Sequence, residues 1–105
     1  MRRWTIQQVS QELGIPASKI RFWEREIPSF KIPRGARGHR YFTDREVQTL
    51  RLIHHLREEK KIPLEQIGPI LEDRYHPYHR QYRLIEELRL VRRFLVDLIS
   101  ELDGS

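Results

Sequence analysis

Between residues 84 and 102 the chain places apolar side chains at spacings of four, three, four, three and four: Leu84, Leu88, Val91, Leu95, Leu98 and Leu102. Only a helix keeps such a series on one face, and the alternation is the heptad seam of a coiled coil. The stretch corresponds to about 28 Å of helix. Ile85, Phe94 and Ile99 flank the seam and widen it. A helix this apolar along one side must cover that side against another surface. A second copy of the same helix is the first expectation, and packing back onto the chain's own domain is the alternative. Leu84, Leu88, Val91, Phe94, Leu95, Leu98 and Leu102 are the expected dimerisation residues.

The flanking positions bear on orientation. With Leu84 at position d, a parallel pair sets Glu87 against Arg92, an attraction. An antiparallel pair centred near residue 93 sets Phe94 against Phe94 and Ile85 against Ile99, and also brings like charges together. Exposed charge pairs are worth at most about 1 kcal/mol. Burial of Ile and Phe surface at about 25 cal/mol per Å² exceeds that. The apolar pairs favour a homodimer through antiparallel C-terminal helices, and the charge pairs leave the parallel arrangement open.

The remaining chain has a different character. Residues 1–61 hold fourteen basic and seven acidic side chains, whereas residues 62–105 hold six and eight. A basic first part points to an anionic partner. A chain of 105 residues suits one domain plus one extra element. Cysteine is absent, which excludes a disulfide framework and thiolate metal ligands. No apolar run approaches the roughly 20 residues of a membrane span. The start, Met1-Arg2-Arg3-Trp4, lacks the apolar core of a signal peptide. An intracellular protein, cytoplasmic and nucleoid-associated, with no membrane partner, is the expectation.

The basic part reads as helices around one loop. Thr5 and Gln8 have capping-box spacing, and Ile6, Val9 and Leu13 form one helical stripe. Gly14 stops that helix and Pro16 lies near the start of the next. Ile20, Trp23 and Ile27 supply the second helix's apolar side. Two short helices joined by Leu13-Gly14-Ile15-Pro16 predict a helix-turn-helix. The opposite face of the second helix carries Ser18, Arg21, Phe22 and Arg25, with Lys19 beside them. Such a cationic stripe suits the major groove, where arginine bonds guanine in a bidentate way. Glu24 lies three residues after Arg21 and can pair with it, as on an ordinary solvated face. Arg25 has no acidic residue at helical spacing.

Residues 31–42 predict a β-hairpin wing. Gly35-Ala36-Arg37-Gly38 supplies the turn, and His39, Arg40, Tyr41 and Phe42 lead out with alternating sides. Arg34, Arg37 and Arg40 suit phosphate contact or a narrow minor groove. Thr43-Asp44-Arg45-Glu46 forms a second capping box, and Val47, Leu50, Ile53 and Leu56 carry a helix to about Glu59. Lys60 and Lys61 close it at the negative end of the helix dipole and form a second expected phosphate contact. Pro63 opens a short helix with Leu64, Ile67 and Leu71 inward, weakened by Gly68 and Pro69.

This order, with Trp4-Thr5-Ile6, Ile20-Arg21-Phe22-Trp23-Glu24, Pro33-Arg34, Gly38-His39-Arg40-Tyr41-Phe42 and Leu64-Glu65-Gln66-Ile67, resembles the MerR family of bacterial transcription regulators. The resemblance covers about residues 4–72. It implies that Ser18, Lys19, Arg21 and Phe22 meet DNA from the second helix, and that Arg34, Arg37, His39 and Arg40 meet the backbone from the wing. It further implies a two-fold dimer on a pseudo-palindromic promoter site, with the promoter bent and untwisted so that RNA polymerase can use an over-long spacer. Phe22 and His39 stand where tyrosines are usual. The loss of a phenolic hydroxyl at Phe22 leaves apolar packing on sugar or a thymine methyl. His39 can add a phosphate contact when charged. Longer members follow the coiled coil with a metal-binding loop or drug-binding domain, and none follows within this sequence.

The expected architecture is mainly α. Residues 1–76 form a winged helix-turn-helix with a small β-hairpin wing, and residues 77–105 a long C-terminal coiled-coil helix. The expected function is a sequence-specific dimeric regulator bound to double-stranded DNA, without cofactors. His54, His55, His76 and His79 raise a metal site, but Pro77 breaks the helix between the last two and no cysteine assists. No nucleophile, base and orienter constellation appears, and an enzyme is not expected. Two alternatives share these residues: an architectural DNA-binding protein with little sequence preference, and an adaptor that uses the tail helix to bind a different protein.

Overall fold

A computed structural model describes residues 2–104. The chain divides into two compact units, residues 1–74 and residues 75–105.

The first unit begins with the predicted capping box. The Thr5 hydroxyl accepts from the Gln8 N–H at 3.1 Å, and the Gln8 side chain accepts from the Thr5 N–H at 2.8 Å. Helix α1 runs Ile6–Leu13 and buries Ile6 and Val9. Gly14 ends it in the left-handed region at φ 69°, where a side chain would add strain. The Ser10 hydroxyl donates to the Ile15 carbonyl at 2.6 Å and closes the turn. Helix α2, Ala17–Glu26, follows with Pro16 as its N-cap. Ile20, Trp23 and Ile27 are all buried, as the apolar spacing requires. Together α1 and α2 form the expected helix-turn-helix.

Residues 34–42 do not form the expected β-hairpin. Arg34 and Arg40 stand opposite one another as an isolated antiparallel bridge. The Gly35 N–H donates to the His39 carbonyl at 2.8 Å, and the Tyr41 N–H to the Pro33 carbonyl at 3.0 Å. The ladder goes no further for two reasons. Pro33 has no N–H to return, and the His39 N–H turns inward to Ala36 at 3.4 Å. Ala36–Gly38 form a 3₁₀ turn in which Arg37 and Gly38 have φ 61° and 74°. On its other edge the returning segment pairs with the chain start: Trp4 and Phe42 exchange hydrogen bonds of 2.9 and 2.8 Å. Phe42 is fully buried, so this pairing fastens the loop to the core.

Thr43 and Glu46 form the second capping box, and helix α3 spans Asp44–His54. It reaches Glu59 as expected, but His55–Glu59 form a π-helical turn. The Lys60 N–H bonds the His55 carbonyl at 3.0 Å, and Lys61 ends the run at φ 60°. The widened turn buries His55 and Leu56 together. Helix α4, Leu64–Glu72, starts after Pro63 and contains Pro69. Ile67 and Ile70 are its buried residues, while Leu64 and Leu71 are only half-buried. The core of this unit therefore gathers Ile20, Trp23 and Ile27 of α2 with Phe42, Leu50, Ile53, Leu56 and Ile67.

The second unit is one helix, α5, spanning Pro77–Asp103 over 27 residues, or about 40 Å. Pro77 occupies the first turn and His76 is the N-cap, its Nδ1 accepting from the Tyr78 N–H at 3.2 Å. That imidazole thus serves as a cap. No residue of α5 is buried, and the seven expected dimerisation residues are between 42% and 70% exposed. No helix among the described residues is long and apolar enough to cross a membrane.

One ion pair ties α2 to the π-helical turn: Lys19 Nζ lies 2.6 Å from Glu58 Oε1. The Lys19 ammonium, through this hydrogen bond, holds the Glu58 carboxyl below its ordinary value of 4.5. A depressed carboxyl stabilises the fold above its unfolded pKa, and the contribution vanishes as pH falls through the folded pKa. Both side chains are over a third exposed, so solvent screening keeps the pair within about 1 kcal/mol. Denaturant unfolding of wild type and Glu58→Gln should show a small wild-type advantage at pH 7. The advantage should close as pH drops below about 4.5. A difference that persists unchanged at pH 3 would show that the pair is not its source.

Candidate nucleic-acid interface

Burial of Ile20, Trp23 and Ile27 fixes the rotation of α2 and so decides which side chains it presents outward. Ser18, Arg21, Phe22 and Arg25 are all exposed, as their spacing predicts. Phe22 is 40% exposed, a large apolar ring left open to solvent between two arginines. The Arg25 guanidinium lies 5.4 Å from that ring's centre, a distance suited to cation–π attraction. Arg25 also meets its chain neighbour Glu26 at 3.2 Å, an acidic contact outside helical spacing. Lys19 is half-buried. Besides its bond to Glu58 it lies 5.8 Å over the Trp23 ring.

Among the described residues the pairing of Glu24 with Arg21 that helical spacing allows does not form. Glu24 turns toward the loop instead, and its side chain is only 15% exposed. Arg34 Nη2 donates to both of its carboxylate oxygens, at 3.2 and 3.3 Å. Arg40 Nε donates to Oε1 at 2.9 Å, with its Nη2 equally close. Several charge-assisted contacts from two guanidinium groups, together with partial burial, favour this arrangement over a single contact on the helix surface. Arg21 is thereby released. Among the described residues its side chain has no hydrogen bond or ion pair, and the same holds for Ser18, Arg37 and His39.

The bridge between residues 34 and 40 has a directional consequence. Opposed residues in an antiparallel pair project to the same face. Arg34 and Arg40 both project toward α2, while Arg37 occupies the tip of the turn and is exposed with His39. The three loop arginines thus divide into two that are engaged and one that is open. Further round the unit, Lys60 and Lys61 are exposed at the end of the π-helical turn. Near the loop's root, the Arg3 guanidinium lies 4.1 Å from the centre of the Tyr41 ring. Arg3 was not among the residues singled out from the sequence, where only an aromatic close to Arg3 in space, not in order, marks it.

The outward surface of α2 and the loop tip is therefore cationic, with one aromatic and one hydroxyl in its centre. Such a surface suits a polyanion with readable edges better than a small molecule, because the first unit presents these groups on projections. A groove lies elsewhere, bounded by Trp4, Gln8, Leu13, Asp44, Val47 and Arg51 among others. Among the described residues no group of three or more His, Asp or Glu side chains is placed to hold a metal ion.

Comparisons with known proteins agree with this architecture. No curated protein sequence matches the chain. Among solved structures, HiNmlR is described as a MerR family regulator lacking the sensor domain, bound to promoter DNA. It is 22% identical, with a TM-score of 0.63 over 96% of this chain and 88% of that one. A MerR family transcriptional regulator from Bacillus thuringiensis is 20% identical, with a TM-score of 0.60 over 98% of this chain and 93% of that one. At such identities the likeness establishes the fold. Residues 4–74 match the model of the MerR HTH family regulatory protein, and the chain belongs to that family.

Proposed function

We propose that this protein is a dimeric, sequence-specific DNA-binding transcriptional regulator that acts on a pseudo-palindromic promoter site. The observation that carries the proposal is the outward stripe of α2, with Ser18, Arg21, Phe22 and Arg25 exposed beside the open Arg37 at the loop tip. On this account α2 enters the major groove. Arg21 reads a guanine edge, Ser18 offers a small hydroxyl to either base type, and Phe22 packs on sugar or a thymine methyl. Arg37 and His39 contact the backbone from the wing, and Lys60 and Lys61 contact it from the other side of α2. Lys19 contributes there once it exchanges Glu58 for a phosphate.

The dimer is supported by α5. Its seam of exposed leucines covers itself best against an identical helix, and antiparallel pairing aligns Phe94 with Phe94. Two copies of the DNA-binding unit then address two half-sites. A relative of the same fold that lacks a sensor domain and is bound to promoter DNA supports the DNA-binding part of this reading. Distortion of the promoter spacer, with RNA polymerase as the enzyme served, is what the family resemblance implies and completes the proposal.

Arg21→Ala should cost about 1–3 kcal/mol on the preferred site and relax base preference at one position of each half-site. Unchanged affinity and preference for that site would contradict a base-reading role. Arg37→Ala should weaken binding to all sequences alike and reduce the slope of log affinity against log salt by about 1. Titrations of labelled duplexes across a salt series measure both, and a loss confined to one sequence would contradict the backbone role of Arg37.

A further inference from the structure

Glu24 lies within the candidate interface but carries the wrong sign to meet DNA. Its surroundings give it a different task. The loop from Pro33 to Tyr41 is fastened to the core at Phe42, but its two limbs meet only through two ladder hydrogen bonds around a single bridge, closed by turn bonds of 3.2 and 3.4 Å. So short a pairing does not by itself fix a wing. The Glu24 carboxylate supplies what is missing. It receives Arg34 from one limb of the loop and Arg40 from the other, in contacts of 2.9 to 3.3 Å. Arg34 reaches on through Nη1 to the Gly38 carbonyl at 3.5 Å, at the far side of the turn. One carboxylate on α2 therefore ties both limbs and, through Arg34, the turn that carries Arg37.

We propose that Glu24 is a positioning residue that sets the wing at a fixed spacing from α2, and that Arg34 and Arg40 act through it and not on DNA. The proposal rests on the DNA-binding reading given above. Three features favour it. Arg40 is 22% exposed and cannot reach a phosphate without breaking the contact, whereas Arg34, 45% exposed, is held by its bonds to both Glu24 oxygens. Charge-assisted hydrogen bonds such as these are about twice as strong as neutral ones. The partner that helical spacing would have given Glu24, Arg21, is left open for a base. The same carboxylate thus divides the local arginines into a pinned pair and an available pair.

Specific recognition needs the base-reading helix and the wing engaged at once, whereas loose electrostatic attachment does not. Glu24→Gln removes the pin and frees two arginines. Its affinity for the duplex enriched from a random pool should fall about tenfold or more. Its affinity for a random-sequence duplex should rise, with a steeper salt slope, because freed arginines find phosphates. A parallel loss on both duplexes would reveal a merely structural residue, and a parallel gain would show that Glu24 only lowers the local charge. Either overturns the proposal. Arg40→Ala is the second variant, and it decides the matter if Glu24→Gln does not fold by circular dichroism. It should lose affinity for the enriched duplex with an unchanged salt slope. A slope reduced by about 1 on every sequence would place Arg40 on a phosphate and overturn the proposal. Arg37→Ala, run alongside, separates the two levels of the account. If it leaves affinity for every duplex unchanged, the DNA-binding reading itself falls and takes the proposal with it. If it weakens all binding while Glu24→Gln changes nothing, only the positioning role falls.

Discussion

The rotation of α2 about its own axis is the constraint on which the rest of the structure depends. Ten residues must bury one face and present another, and Trp23 decides how they divide. It is the largest of the fully buried side chains, and its ring meets the edge of His54 from α3 at 6.3 Å. A helix turned by one position, about 100°, would carry Glu24 or Phe22 into the core and point arginines sideways. With Trp23 inside, Arg21 and Arg25 face outward and Glu24 faces the loop. The interface and its internal brace are thus two consequences of one packing choice.

Much of this was legible in residue order because it rests on local chemistry. The two capping boxes, the left-handed Gly14, the apolar spacing of α2 and the reach of α5 each involve partners within a turn or two of helix. Local rules settle such contacts. Contacts that depend on three-dimensional approach were not legible. Glu24 chose Arg34 and Arg40, ten and sixteen residues away, over Arg21 on its own helix. Lys19 found Glu58 across 39 residues. The π-helical turn at His55–Glu59 leaves no mark in the apolar spacing, since it shifts one hydrogen bond register and lets His55 and Leu56 bury together. The β-hairpin failed for a reason already visible in the chain, the missing N–H of Pro33, whose cost outweighed the alternation that favoured strands.

The arginine-rich loop is accordingly less uniform than its composition suggests. Three arginines in seven residues read as three equivalent phosphate contacts, yet two of them brace the loop and one stands at its tip. A basic stretch near a recognition helix therefore needs its acidic neighbours counted with it. Glu24 and Glu58 both lie against cations that charge alone would assign to DNA. Together with Arg21, Arg37 and the outward Phe22, they give the surface a pattern, and pattern is what sequence preference requires.

In the proposed dimer the tail helix would present this surface twice. Pairing of that exposed seam with a second copy would set two α2 helices on one duplex. Selection from a random pool of duplex DNA at physiological salt, followed by sequencing of the bound fraction, tests the central claim most directly. The account predicts enrichment of an inverted repeat whose two halves match. Recovery of the pool without a shared motif would contradict it.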